Sequence, residues 1–400
     1  MIEKDMLREI AISQRRDINE KDTGVKRSLL KEIDLKGSHI IILSGIRRSG
    51  KSTLLKQLMK QLDHFYFFDF EDQRMFNFDL MDFEKLNIIF EEEFGKSENY
   101  FFDEIQNVEG WERFVRKLHD QGKKVIVTGS NASLLSKELG TKLTGRHLRY
   151  ETFPFSYDEM LKLLDKKSGK QSFEEYTTRG GFPEFLKDQK QQILQELFND
   201  VITRDVIIRY DLRDAKIITN LAIFLITNIG REFSYNKLKK QFGFGSVNTV
   251  ISYISYLEDC YLLFTVPKFD YSYKKQLVNP KKVYSIDSGL GRAISVSYSK
   301  DAGRILENVV FLQLRRKYKE IFYYKDKWEC DFLIKEKEKI TQAIQVCYEL
   351  TQENMEREIR GLREAMNKFK LKQGMIITLC QEDFFGKDIK AIPAWKWMTR

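Results

Sequence analysis

Residues 45–52 read GIRRSGKS, placing two glycines, a lysine and a hydroxyl at the spacing G-x-x-x-x-G-K-[ST]. Each residue type has a task on a chain of phosphates. Gly45 and Gly50 let the backbone turn tightly, so that successive N–H groups point inward at phosphate oxygens. Lys51 would bridge the β- and γ-phosphates, and the Ser52 hydroxyl would ligate Mg²⁺. The strand-like run IIILS precedes the loop and the amphipathic pattern KSTLLKQLMKQL follows it, so a helix would add its positive end. That strand–loop–helix setting separates the motif from a chance match. Of the two arginines inside the loop, one is expected on the nucleotide or a neighbouring domain and the other in solvent. Arg48, Ser49 and Thr53 are counted with Gly45, Gly50, Lys51 and Ser52 as the nucleotide-contacting stretch.

A phosphate loop does little chemistry without a carboxylate to order its metal. The apolar run YFFDE (100–104) ends in Asp103 and Glu104. Asp103, at the carboxyl end of a strand, would hold the Mg²⁺ water shell, while Glu104 would orient and polarise the attacking water. The next run, VIVTGSN, ends with Thr128, Ser130 and Asn131. These polar groups suit a γ-phosphate sensor, and Ser130 is taken as its representative. They equally suit the cap of a following helix. Arg146, in LTGRHLRY, has the planar donors that stabilise transition-state charge, in a neighbouring subunit's site. A surface ion pair is the competing role. ATP and Mg²⁺ are the ligands this constellation requires.

The elements that must position these groups are legible as alternation. Runs at 39–45, 65–70, 100–104 and 125–130 are rich in β-branched and aromatic residues, with helical patterns between them. This predicts an α/β domain with a mainly parallel sheet covered on both faces, over residues 1–155. Residues 156–230 read as a helical lid or linker broken by GGFPE at 180–184. Residues 231–290 read as two short helices followed by hairpin-like strands, and 291–400 return to mixed α/β. In the second of those short helices, Val247, Val250, Ile251, Ile254 and Leu257 recur at helical spacing. They are expected to form its buried stripe.

The 400 residues carry a net charge of +9, with 68 Lys and Arg interspersed among 59 acidic residues. Such a mild excess neither requires nor forbids a phosphate-backbone partner. The four cysteines are dispersed without CxxC spacing, which argues against a zinc site or a disulfide framework. No apolar run approaches the ~20 residues of a membrane span, and the opening MIEKDMLREI lacks the apolar core of a secretory signal. A cytoplasmic protein without membrane association is expected.

GIRRSGKST, YFFDEIQN, VIVTGSNASLLS, KLTGR and GGFPEFL together resemble an AAA-superfamily ATPase family of archaea and bacteria. Its members carry a carboxyl-terminal domain of unknown function similar to PD-(D/E)XK nucleases. The resemblance runs from about residue 10 to the closing IPAWKWM. It implies an additional-strand ATPase fold with a catalytic glutamate at Glu104, a winged-helix segment over 231–290 and a restriction-endonuclease-like domain over 291–400. Residues 234–267 likewise resemble a winged helix-turn-helix, although Lys237, Lys239 and Lys240 lie on its first helix rather than on the reading helix. In the last domain, Glu307, Asp331 and Gln345 take the places where the resemblance puts metal ligands. There the chain departs from the pattern, having Gln345-Val346-Cys347 instead of E-x-K. Glutamine binds metal more weakly than a carboxylate, and Cys347 cannot replace a lysine, for which Lys325 or Lys335 would have to substitute. A retained fold with a weakened centre is the expectation.

The reading is an Mg²⁺-dependent ATPase, assembled as a homo-oligomer, whose turnover moves its following domains, on DNA. Two alternatives stand beside it: a nucleotide-driven switch that docks a protein partner without touching nucleic acid, and an ATP-regulated DNA nuclease.

Overall fold

In the computed structural model, which describes residues 1–20, 22–130, 145–294 and 301–399, the aromatic and β-branched runs become central strands. Contacts gather the chain into two units, Met1–Phe153 and Pro154–Arg400.

The first unit contains β1 (Ile40–Ser44), β2 (Tyr66–Asp69), β3 (Asn99–Asp103), β4 (Lys124–Gly129) and β5 (His147–Glu151), with helices α1 (Lys4–Glu20), α2 (Lys51–Met59), α3 (Asp82–Phe94) and α4 (Trp111–Asp120). The strands form one sheet in the order β2-β3-β4-β1-β5, and every pairing is parallel. β4 is the additional strand, inserted between the strand that enters the phosphate loop and the strand that ends in the acids. The central strands are apolar throughout because both faces are covered. One face packs Phe68, Phe83, Phe90, Phe102 and Trp111, with Phe83 stacked on Phe114 at 4.5 Å between ring centroids. The other packs Ile41, Leu43, Leu54, Leu55 and Leu58. α4 buries Trp111, Phe114, Val115 and Leu118, the i, i+3, i+4, i+7 stripe of an amphipathic helix. Two elements were not anticipated: β5, whose half-buried HLRYE lacks a strong apolar run, and α1, which buries Leu7, Ile10 and Ala11.

The second unit opens with helices α5 (Tyr157–Leu164), α6 (Lys170–Arg179), α7 (Pro183–Asp188) and α8 (Gln191–Asp200), a π-helical stretch at Val201–Ile208, and α9 (Ala215–Thr227). The GGFPE turn is pinned by Asp287, whose carboxylate accepts from the Gly181 N–H at 2.6 Å. A Cβ at Gly180 would lie 2.0 Å from that carboxylate, and one at Gly181 would lie 2.2 Å from the Phe155 carbonyl. The paired glycines are therefore a requirement of close approach.

Next come β6 (Glu232–Phe233), α10 (Tyr235–Phe242), α11 (Val247–Asp259), β7 (Leu263–Pro267), α12 (Tyr273–Val278) and β8 (Lys281–Ser285), the strands forming an antiparallel sheet in the order β6-β8-β7. α11 buries Val250, Ile254 and Leu257, but Ile251 is 41% exposed, which corrects the expected stripe. The unit ends with α13 (Ser288–Ile294), α14 (Ala302–Lys317), β9 (Glu320–Lys325), β10 (Glu329–Glu336), β11 (Lys339–Val346), α15 (Met355–Phe369), β12 (Gly374–Thr378), β13 (Asp383–Phe385), β14 (Ile389–Pro393) and α16 (Ala394–Met398). Its six-stranded sheet runs β13-β14-β12-β11-β10-β9 and is mixed, with β11, β12 and β14 parallel. A parallel bridge from Lys268 to Tyr323 joins the chain after β7 to β9, so the middle and terminal segments are continuous.

α15 crosses β10 closely at Gly361, where a Cβ would lie 2.1 Å from the Glu329 carbonyl oxygen. Overpacking of this kind typically costs about 1–3 kcal/mol. Gly361→Ala is expected to destabilise the second unit by that amount in urea unfolding, and an unchanged midpoint would refute the close crossing.

Candidate functional site

β1 delivers the chain into a loop that closes on α2. Gly50 has φ 93 and Arg48 φ 58, so the loop passes twice through the left-handed region before the helix starts. A Cβ at Gly45 would lie 2.1 Å from the Thr152 carbonyl oxygen, which makes glycine obligatory there. Beneath the loop, Arg27 is buried and donates to the carbonyls of Ser49 at 2.5 Å and Phe153 at 2.6 Å. Its own N–H is accepted by the Gln57 side chain at 3.0 Å. No spacing signal in the sequence marked Arg27, because it joins segments that are distant in the chain.

The Lys51 ammonium lies at the loop mouth, 3.2 Å from the Gly45 carbonyl oxygen and 3.1 Å from Glu104 Oε1. Ser52 and Thr53 occupy the first turn of α2. Ser49 is buried and Arg48 exposed, and the Ser49 hydroxyl has no hydrogen-bond partner, leaving a polar atom inside the loop for a ligand. Arg47, the other loop arginine, pairs with Glu71 at 2.8 Å.

Asp103 ends β3, buried, and Glu104 follows in a left-handed conformation with φ 48. Ser52 and Thr128 both donate their hydroxyls to Asp103. The Thr128 hydroxyl also accepts the Glu104 N–H at 2.9 Å, so one side chain on the additional strand fixes both acids. Burial raises the Asp103 pKa, Glu104 adds to this, and the two hydroxyls and Lys51 oppose it. For Glu104 burial also acts upward, but Lys51, Gln106 and Arg47 overcome it and hold the carboxyl below its ordinary value. Glu104 thus carries negative charge in a site that disfavours charge, which suits a group meant to polarise water.

The sequence reading missed a third acid. Asp69 ends β2 in register with Asp103. Its backbone is clasped by Gln14 of α1, through bonds of 2.8 and 3.0 Å. Only pairing of β2 with β3 reveals this neighbour, because Asp69 lies within FDFEDQ, which reads as a strand running into a loop.

Ser130 is buried just beyond β4, and Asn131 lies outside the described residues. Arg146, expected to serve a neighbouring subunit, lies away from the phosphate loop of its own chain. It precedes His147, the partner of Ile40 at the start of β1, whereas the phosphate loop follows Ser44, the partner of Glu151. Four residues of parallel strand put it roughly 13 Å away on the opposite sheet edge, where it pairs with Asp120 at 3.0 Å. Arg149, on the same strand, instead reaches the Ser44 hydroxyl at 2.9 Å.

In the second unit, Glu307 and Asp331 converge on a lysine the sequence reading did not consider, and Gln345 accepts the Asp331 N–H. Lys282 Nζ lies 3.0 Å from Glu307, 2.9 Å from Asp331 and 2.7 Å from Glu329. Tyr284, two residues along β8, donates to Glu307 at 2.6 Å. Lys325 bonds Glu232 and Glu329, and Lys335 bonds Glu320. Neither stands at the centre.

Comparison with known proteins finds three family models along the chain. The model of an AAA domain matches residues 37–161, and two domains of unknown function match the rest, DUF8612 over 170–300 and DUF4143 over 302–397. An uncharacterized protein of Methanocaldococcus jannaschii, MJ1544, is 37% identical across 99% of this chain and 96% of its own length. An uncharacterized protein of Haemophilus influenzae is 32% identical across 79% of this chain and 84% of its own. Among solved structures, the Walker-type ATPase PABY2304 of Pyrococcus abyssi aligns over 69% of this chain and 99% of its own, at 15% identity and a TM-score of 0.45. No helix among the described residues is long and apolar enough to cross a membrane.

Burial, with Asp103 beside it, raises the Asp69 carboxyl from its ordinary 3.8 to about 7. Between those values the folded chain keeps a proton that the unfolded chain has released. The resulting stability is complete below the lower value and lost as pH rises through about 7. Asp69→Asn keeps an acceptor for the Glu71 N–H but cannot ionise. Without nucleotide it is expected to unfold at a higher temperature than the parent at about pH 8, with the gap closing by about pH 4. Parallel pH profiles of melting temperature would refute the assignment.

Proposed function

This chain belongs to the same family as MJ1544 of Methanocaldococcus jannaschii and carries an AAA domain, and from that premise we propose that it binds Mg–ATP at Gly45–Thr53 and hydrolyses it. The reading rests on one juxtaposition. Glu104 is held 3.1 Å from the Lys51 ammonium, beside an Asp103–Ser52 hydrogen bond, at the mouth of the glycine loop. Loop N–H groups and Lys51 bind the phosphates, and Ser130 serves as the γ-phosphate sensor. Ser52 and Asp103 hold the metal and its water shell. A Mg²⁺ ion held by them would supply positive charge against the phosphates. Glu104, the only one of the two neighbouring acids held below its ordinary pKa, orients and accepts a proton from the attacking water. Arg146 serves this reaction from a neighbouring chain, within a homo-oligomer, since its own loop is on the other edge of the sheet.

Turnover drives the second unit, and duplex DNA is the partner its surface favours. Tyr271 and Tyr273, 77% and 72% exposed, are followed directly by the exposed Lys274 and Lys275 between β7 and β8. Lys237 and Lys240 are exposed on α10. Exposed ammonium groups suit the phosphate backbone of a duplex, and the helix–helix–strand order supports a winged-helix reading of this segment.

Lys51→Ala is expected to lose nucleotide binding and turnover together. Glu104→Gln should retain ATP while its kcat falls about 10²–10⁴-fold, the usual contribution of a general base. Parent-rate turnover by Glu104→Gln would refute the assignment. For the partner, binding of duplex DNA should weaken steeply with salt as counterions are released, and ATPase turnover should change when DNA is added. Absence of binding at low salt would favour protein docking instead.

A further inference from the structure

The carboxylates that resemble a nuclease's metal ligands are gathered around a cation supplied by the chain. Lys282 is buried, 2% exposed, and its ammonium has three N–H bonds to give. Three carboxylate oxygens surround it at 3.0, 2.9 and 2.7 Å, from Glu307 on α14 and from Asp331 and Glu329 on β10. The second oxygens of Asp331 and Glu329 are also engaged. The second oxygen of Asp331 accepts the Val346 N–H at 3.0 Å, and that of Glu329 faces Lys325 at 3.2 Å. Gln345, the third expected ligand, spends its amide oxygen on the Asp331 N–H at 3.2 Å and its amide nitrogen on Glu358 at 2.6 Å. Glu358 is in turn paired with Arg357 at 2.6 Å.

This donor set does not fit a divalent ion. A dication reaching both Glu307 and Asp331 would stand beside the ammonium in a buried site, where like-charge repulsion is screened poorly. Displacing Lys282 outward would leave a buried ammonium with no equivalent set of acceptors. Among the described residues, no group of three or more His, Cys, Asp or Glu side chains is arranged to hold a metal ion. The cavity over the cluster, about 790 Å³, is edged by Arg304, Lys327, Trp328 and Arg357.

We propose that the Lys282 ammonium is the resident cation of the Glu307–Asp331–Glu329 cluster, standing where a metal would stand in a nuclease, so that this site takes no divalent metal. The lysine comes from β8, in the segment preceding the nuclease-like one, and this locks the two segments together. Hydrolytic cleavage of nucleic acid through a bound metal is then not an activity of this unit.

The test is Mn²⁺ binding by the full chain carrying Asp103→Asn, without nucleotide, so that the phosphate-loop acid does not contribute. Free Mn²⁺ is read by electron paramagnetic resonance, and unfolding temperature is followed in parallel. With Lys282 present, no Mn²⁺ dependence traceable to Asp331 is expected. Lys282→Ala and the milder Lys282→Gln should each bind about one Mn²⁺ per chain, at least about tenfold more tightly than the Lys282 chain, because the repelling charge is gone. Their unfolding temperature should rise with Mn²⁺, and adding Asp331→Asn should abolish both effects. Lys282→Arg, which keeps a cation, should stay indifferent to Mn²⁺. The proposal is overturned if the Lys282 chain binds Mn²⁺ in a manner abolished by Asp331→Asn, or if Lys282→Gln binds Mn²⁺ no better than the Lys282 chain. Should Lys282→Ala fold only in the presence of Mn²⁺, that rescue is itself the expected result.

Discussion

Burying acids at the ends of strands requires a cation beside them, because an uncompensated carboxylate in a low-dielectric interior is costly. In the first unit the cation is Lys51, bonded to Glu104 and to the carbonyl oxygens of its own loop. This contact ties the phosphate loop to the acidic strand end. The parallel sheet makes it possible. All five strands run the same way, so the loop after β1, the acids after β3 and the hydroxyl of Thr128 on β4 emerge on one edge. Helix α2, starting there, adds its positive end to the same edge.

The supports of that edge lie out of sequence. Arg27 holds the underside of the loop through the Ser49 and Phe153 carbonyls. Gln14 fixes the end of β2, and with it Asp69 beside Asp103. Three acids on neighbouring strand ends repel one another. Charge settles on Glu104, nearest Lys51, while Asp69 and Asp103 are pushed above the ordinary carboxylate range. Such a division of roles among carboxylates follows from environment rather than from residue type.

The second unit meets the same constraint with a lysine that no phosphate loop supplies. Lys282 gathers Glu307, Asp331 and Glu329, while Tyr284 closes one side. Burial raises the Glu307 pKa to about 7 despite the ammonium. The two units therefore share a solution, one cation among buried acids. They differ in what remains accessible: the first keeps an unpartnered hydroxyl inside a glycine loop, and the second commits every amide and carboxylate near its centre to a protein partner.

The sequence by itself determined the phosphate loop, the acid pair and the four apolar strands of the first sheet. These depend on local rules: fixed motif spacing, side-chain period and the continuous hydrophobicity of doubly covered strands. It also located Glu307, Asp331 and Gln345 as neighbours, through resemblance rather than chemistry. Tertiary structure alone decided what each group faces. The pairing of β5 with β1 put Arg146 on the sheet edge away from its loop and Arg149 near it. The pairing of β2 with β3 added Asp69, and packing of α11 left Ile251 exposed despite its helical spacing. The lysine among the terminal acids came from another segment, β8, because its position is set by long-range packing that no local pattern encodes. Spacing along the chain fixes which residues share an element, whereas the charges that meet at an element's end depend on which strands become neighbours.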